Sequence, residues 1–280
     1  MPWSTRTARG LVVACHPGPT VVVTGLAAAL AAGIGAAPET TLLLAAAVLT
    51  GQLSVGWSND WLDAARDLAV ARPGKPVVVG LLDAGALRTA AVVAVVACVP
   101  LSLGTGWLPG TVHLIAVASA WAYNLVLKRT VLSWLPYAVS FGLLVQFVTL
   151  AQPGRPVAAW WATAAASLLG FGAHAANVLP DFEDDAATGV SGLPHRLGRA
   201  RTTLLALGAL VAAVALVVLA PTGRPSPAAW AGGGAAVLLA GVGAVASRAD
   251  PRSRLPFTAA MAVAVVCVVV LVLAGPAIEG

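Results

Sequence analysis

Seven of the chain's 11 carboxylates fall in two short stretches. The first, Asn59-Asp60-Trp61-Leu62-Asp63-Ala64-Ala65-Arg66-Asp67, follows a long apolar run. On a helix at about 100° per residue, Asn59, Asp60, Asp63 and Asp67 share an arc of about 100°. The second, Asn177-Val178-Leu179-Pro180-Asp181-Phe182-Glu183-Asp184-Asp185, repeats the spacing N-x-x-x-D-x-x-x-D 118 residues later, with Asp181 and Asp185 in the places of Asp63 and Asp67. Pro180 argues against a straight helix through this copy.

Like charges on one face repel, and a chain this poor in charge has little reason to gather them unless a cation does. Carboxylates supplying one or two oxygens each suit hydrated Mg²⁺, with a phosphate completing the shell. Neither stretch has the glycine-turned spacing of a calcium loop, and no His or Cys stands by for zinc. Basic residues flank both. Arg72 and Lys75 follow the first cluster, His195 and Arg196 the second, and Tyr123-Asn124-Leu125-Val126-Leu127-Lys128-Arg129 lies between. A lysine or arginine beside an apolar segment is ordinary by itself, but as a set beside two acid clusters these suit phosphate oxygens. Glu39, Asp83, Asp250 and Glu279 read as solvated charges near helix ends.

The elements that must position these groups are transmembrane helices. The 280 residues are 59% hydrophobic and 10% charged, with mean hydropathy +0.90, against roughly 25% charged in an ordinary soluble domain. Nine apolar segments, near 19–37, 41–58, 84–103, 107–127, 131–150, 157–176, 201–220, 227–247 and 255–275, approach the length needed to cross a bilayer. They lack the period-2 alternation of a barrel. With the amino terminus inside, 14 of the 16 Lys and Arg residues fall on the cytoplasmic side, leaving Arg155 and Arg224 outside. That asymmetry supports nine spans, an inward amino terminus and an outward carboxyl terminus. Both acid clusters then follow even-numbered spans and meet on the cytoplasmic side.

The expectation is therefore an all-α, polytopic membrane bundle of about nine transmembrane helices forming a single domain over residues 1–280. The first span is read as retained and not as a cleaved leader. The net charge of +5 is scattered between apolar runs, which gives no continuous face for nucleic acid. Cys15, Cys98 and Cys267 stand far apart and read as small core hydrophobes. Most of the 29 glycines suit close helix packing in lipid.

The two aspartate motifs, the YNLVLKR stretch between them and the nine spans together resemble the UbiA superfamily of intramembrane prenyltransferases, over essentially the whole chain. NDWLDAARD with RPGKP resembles the family's first motif, and DFEDDAATGVSGLPHRLG its second. The resemblance implies a helical bundle around a central cavity, open sideways to lipid, in which Mg²⁺ holds a prenyl diphosphate. Matched position by position, it implies Asn59, Asp63 and Asp67 as metal ligands from the first motif, joined by Asp60 on the same face, and Asp181 and Asp185 from the second. It implies Arg72, Lys75, Lys128 and Arg129 as diphosphate ligands. Ala186, Ala187 and Gly192 stand where relatives often carry a basic residue and a threonine, which leaves Arg196 or His195 to supply that share.

The reaction so implied is transfer of a prenyl group to a small, aromatic acceptor, with release of pyrophosphate. Asp63, Asp67, Asp181 and Asp185 would act through the metal, since carboxylates cannot hold an anionic diphosphate directly. Metal, lysine and arginine would neutralise the leaving group, while the bilayer shelters the allylic cation from water. Among Trp57, Trp121, Tyr123 and Phe171, Tyr123 is the preferred aromatic face for that cation. A terpene cyclase would share the ionisation. A CDP-alcohol phosphotransferase does not fit the Asp63-Ala64-Ala65-Arg66 pattern, and a transporter with an acidic ion site would place its acids nearer the membrane midplane.

Overall fold

The computed structural model describes residues 5–72, 74–180, 182, 189, 191–250 and 253–280. In it the chain forms α1 (Thr5–Ala14), α2 (Pro17–Gly33), α3 (Pro38–Ala69), α4 (Ala84–Gly104), α5 (Trp107–Leu125), α6 (Leu135–Leu150), α7 (Trp160–Val178), α8 (Leu193–Leu197), α9 (Arg199–Leu219), α10 (Pro227–Ala249) and α11 (Leu255–Leu273), with 3₁₀ turns at Leu127–Arg129 and Gly275–Ile278. Each of the nine apolar segments is the core of one helix of 16 residues or more. By length and composition five described helices can cross a membrane, and a sixth span results if α1 and α2, bent by 66° at their junction, count as one.

Two boundaries differ from the expectation. The second apolar segment does not end near Ser58, because α3 continues through the acid motif to Ala69. At 1.5 Å per residue its 32 residues extend about 48 Å, well beyond a hydrocarbon core of roughly 30 Å, so its charged end need not lie in lipid. The amino-terminal segment is helical as well, and breaks before Pro17-Gly18-Pro19.

Consecutive helices pack side by side from α2 through α7, α9 against α7 and α10, and α11 against α10, α9, α7 and α2, so the last helix closes the arrangement onto the first. The carboxyl-terminal residues seal that closure, with Ala159 N–H donating to Ile278 O at 2.7 Å and Gly280 N–H to Val157 O at 2.9 Å. The interior is built largely of alanine, valine and leucine, with Cys98 and Cys267 fully buried and Cys15 nearly so. Large apolar side chains such as Val93, Val96, Leu204, Leu238 and Val265 face outward and exposed, the inverse of a water-soluble surface. Asp83 caps α4, its carboxylate accepting from Ala86 N–H at 2.7 Å, as suits a solvated helix-end charge.

Candidate active site

The acid face of α3 is buried. Asp60, Asp63 and Asp67 are 3%, 4% and 1% exposed, and Asn59 is partly covered. Their orientation is fixed one to three turns earlier by α5. Trp121 Nε1–H donates to Ser54 Oγ at 3.1 Å, and Asn124 Nδ2 donates to Val55 O at 2.9 Å and Ser58 Oγ at 2.8 Å. A polar seam therefore locks α5 onto α3, and the turn after α5 delivers Lys128 to Asp63.

Each carboxylate meets cations of this chain. Lys75 Nζ donates to Asp60 Oδ1 at 2.7 Å, and His16 Nε2 lies 3.0 Å from the same oxygen. Lys128 Nζ lies 2.5 Å from Asp63 Oδ1, and Arg66 Nη2 donates to Asp63 Oδ2 at 3.0 Å. Arg72 Nη1 lies 4.0 Å from Asp67 Oδ1. Burial pushes the Lys128 ammonium below the ordinary lysine range, while the Asp63 carboxylate works the other way. Thus Asp60, Asp63, Asp67, Arg72, Lys75 and Lys128, all expected in the site, do come together. Arg129 and Arg196 are exposed, and among the described residues neither pairs with an acid; Arg196 Nε donates to Ser191 O at 3.1 Å. Asp181 and Asp185 lie outside the described residues.

An aromatic group joins α5, α6 and α7. The Tyr123 ring is edge-on to Tyr137 at 5.2 Å and to His174 at 5.7 Å. Tyr137 shares side-chain hydrogen bonds with Tyr123 and with Asn177, which sits on the last turn of α7 just before Pro180. Trp57 and Trp121 use their indole N–H groups as struts, to Leu11 O at 2.9 Å and to Ser54 Oγ, and Phe171 packs edge-on to Trp134. Of the four aromatics considered from sequence, Tyr123 is the one hydrogen-bonded into the group that contains Asn177.

His174 Nε2 also lies 3.1 Å from Ser133 Oγ, which accepts from Leu193 N–H at 3.1 Å. The segment after the second motif is thereby pinned to the turn that carries Lys128. Ser191 Oγ donates to Arg129 O at 3.3 Å, and a Cβ on Gly192 would lie 2.7 Å from Ser133 Oγ and 3.0 Å from Lys128 O. Gly192 has an ordinary negative φ of −64°, so the glycine is required by space alone.

The donor set suits a hard divalent cation. Asp63 and Asp67 are one helical turn apart and offer oxygen only. Asp67 Oδ1 is buried with no hydrogen-bond partner among the described residues, a costly arrangement for a carboxylate unless it serves a ligand. Among those residues no three acidic, His or Cys side chains converge on a metal position. A full shell therefore needs oxygens from elsewhere, whether from the second motif or a bound phosphate.

Sequence reasoning missed His16 and Arg66 as members of this cluster. His16 lies 44 residues before Asp60 and reaches it because the chain turns there in a left-handed conformation, φ 53°. The signal was Pro17-Gly18-Pro19, a strong break in an apolar helix. For Arg66 the signal is its i,i+3 spacing to Asp63.

Comparison with known proteins gives a consistent result. No curated protein sequence matches. A UbiA homologue from Aeropyrum pernix K1 superposes with TM-score 0.72 at 18% identity, over 91% of this chain and 98% of that one. A UbiA homologue from Archaeoglobus fulgidus, bound to DMAPP and Mg²⁺, gives TM-score 0.71 at 13% identity over 94% and 99%. A digeranylgeranylglyceryl phosphate synthase gives 0.67 at 15% over 96% and 98%. These likenesses show a shared fold. The model of the UbiA prenyltransferase family matches residues 20–266, which takes in nearly every helix that builds the acid face. The chain is a member of the UbiA prenyltransferase family and, with its run of apolar helices, an integral membrane protein.

Proposed function

We propose that this protein is a Mg²⁺-dependent prenyltransferase that ionises an isoprenyl diphosphate within the membrane and joins the prenyl group to a small aromatic acceptor, releasing pyrophosphate. The observation that carries the reading is the burial of Asp60, Asp63 and Asp67 on one face of α3, with Arg72 and Lys75 brought to them from the loop that follows and Lys128 from the turn after α5. Acids alone suit a metal, and cations alone suit an anion. Both in one buried place suit a metal–diphosphate pair. The Archaeoglobus fulgidus homologue of the same fold is bound to DMAPP and Mg²⁺, which supports the same ligands here.

In this reading Asn59, Asp60, Asp63 and Asp67 hold the metal together with Asp181 and Asp185. Arg72, Lys75, Lys128, Arg129 and Arg196 take the diphosphate oxygens. The metal, when bound, supplies Lewis-acid neutralisation of the leaving group. Lys75 and Lys128 can turn from carboxylate to phosphate without leaving the site, and so stabilise charge as it develops on the departing oxygen. The Tyr123 ring, held by Tyr137, offers its face to the allylic cation. The prenyl tail gains about 0.8 kcal/mol per CH₂ by staying among apolar helices. Residues 1–280 form one domain of nine spans, with the amino terminus and both acid motifs cytoplasmic and the carboxyl terminus outside.

The test incubates membranes containing the protein with prenyl diphosphates of several lengths and pooled acceptors, with and without Mg²⁺, and identifies products by mass spectrometry. Prenylated acceptor and Mg²⁺-dependent pyrophosphate release are expected, and Asp63→Ala or Asp181→Ala removes both while leaving a folded protein in detergent. Pyrophosphate release that survives either substitution would overturn the assignment, and a hydrocarbon product without acceptor would convert it to a cyclase.

A further inference from the structure

Arg66 occupies an unusual place. Its Nη2 donates to Asp63 Oδ2 at 3.0 Å, and its Nε lies 3.9 Å from Asp67 Oδ1, so the guanidinium stands between the two carboxylates that one helical turn sets on the same face. The side chain is 16% exposed, and its Nε and Nη1 are buried without a hydrogen-bond partner among the described residues. A guanidinium has five N–H donors, and leaving buried ones unsatisfied costs free energy. What Arg66 supplies in return is charge, set between two anions in a poorly hydrated place.

The consequence for Asp63 is direct. Lys128 is on its Oδ1 and Arg66 on its Oδ2, so a divalent cation at either oxygen meets a positive group already there and is repelled by it. Among the described residues, the three carboxylates of the first motif meet Arg66, Arg72, Lys75 and Lys128, so each of them already has a positive partner. A divalent cation must take those partners' place, and an anion that arrives with it offers them somewhere to go.

We propose that Arg66 is an exchange residue of the diphosphate site: it holds the place of the metal between Asp63 and Asp67, and releases it when a diphosphate arrives to take its guanidinium. The proposal rests on the reading of Asp63 and Asp67 as metal ligands. It assigns to this chain a requirement that metal and diphosphate bind together.

Mn²⁺, a spectroscopic stand-in for Mg²⁺, tests this by electron paramagnetic resonance on the full-length protein in detergent, with no turnover involved. In the wild type, inorganic pyrophosphate is expected to tighten Mn²⁺ binding about tenfold or more. In Arg66→Gln, Mn²⁺ alone is expected to bind about tenfold tighter than to the wild type, the size of one lost charged competitor, while Arg66→Lys stays near the wild type. Arg66→Gln that binds Mn²⁺ no tighter, or a wild type indifferent to pyrophosphate, overturns the proposal; the second result needs no variant to fold. Asp63→Asn separates the two levels. If it leaves Mn²⁺ binding with pyrophosphate unchanged, the metal-site reading itself fails, whereas lost binding there with no gain in Arg66→Gln sinks Arg66 alone.

Discussion

Lys128 Nζ lies 2.5 Å from Asp63 Oδ1 across 65 residues of chain, and both side chains are only 6% exposed. A buried pair of this kind gains less from its mutual attraction than it loses when one partner is removed, because the survivor is left as an uncompensated charge. The pair joins the turn after α5 to the acid end of α3, so the geometry of the site and the packing of two helices depend on the same contact.

Lys128→Met should therefore lower stability in detergent by about 3 kcal/mol, the low end for a broken buried pair, since Arg66 still partners Asp63. The double variant Lys128→Met/Asp63→Asn should be more stable than Lys128→Met alone, with a coupling of about 1–3 kcal/mol. Thermal or denaturant unfolding followed by tryptophan fluorescence measures this. Strict additivity would show that the contact carries no energy of its own.

The first acid motif was legible because helix geometry fixes which side chains share a face, and Asn59, Asp60, Asp63 and Asp67 are spaced to do so. Burial of that face could not be read, since it involves residues distant in the chain, such as Lys128, which reaches Asp63 across 65 residues, and His16, which reaches Asp60 across 44. The apolar segments located the helices well, for lipid makes length and hydropathy decisive. They misjudged the end of α3, where the helix outlasts the lipid and hydropathy falls silent. That Lys75 and Lys128 pair with Asp60 and Asp63 was not legible, since the sequence shows which charges are near and not which partner each takes.

The break between α1 and α2 is built against α3. Trp57 Nε1–H donates to Leu11 O at 2.9 Å, Thr20 Oγ donates to Cys15 O at 2.7 Å, and a Cβ on Gly56 would lie 2.7 Å from that same Cys15 carbonyl. Gly56→Val should push the break away from α3 at a cost of about 1–3 kcal/mol, and with it move His16 from Asp60. The expected readout is a lower thermal midpoint in detergent. Gly56→Val with a wild-type midpoint would mean that the close approach is not kept in the membrane protein.

Tyr123 distinguishes a ring from a hydroxyl. If its face steadies an allylic cation, Tyr123→Phe should keep most of kcat, and Tyr123→Leu should lower kcat about 3- to 30-fold, as a cation–π contribution of roughly 0.5–2 kcal/mol requires. KM for the prenyl diphosphate should change little, because the cation exists only after ionisation. Steady-state kinetics over a range of diphosphate concentrations decides this, and an equal loss in both variants would assign the effect to the hydrogen bond with Tyr137.

Gly192 and Ser133 offer a test by compensation. The backbone at Gly192 suits any residue, yet a Cβ there meets Ser133 Oγ at 2.7 Å, Ser133 Cβ at 3.1 Å and Lys128 O at 3.0 Å. Gly192→Ala should therefore displace the turn that carries Lys128, and with it the ammonium from Asp63. Because that turn positions a proposed diphosphate ligand, the loss should fall on KM for the prenyl diphosphate, by about tenfold for a cost near 1.4 kcal/mol. Ser133→Gly removes two of the three obstructing atoms but also the hydroxyl that accepts from Leu193 N–H, so by itself it should weaken the protein slightly. Combined with Gly192→Ala it should recover part of the lost affinity, since relief of the clash outweighs one hydrogen bond worth about 1 kcal/mol. If the double variant is worse than either single one, the crowding is not what makes position 192 a glycine.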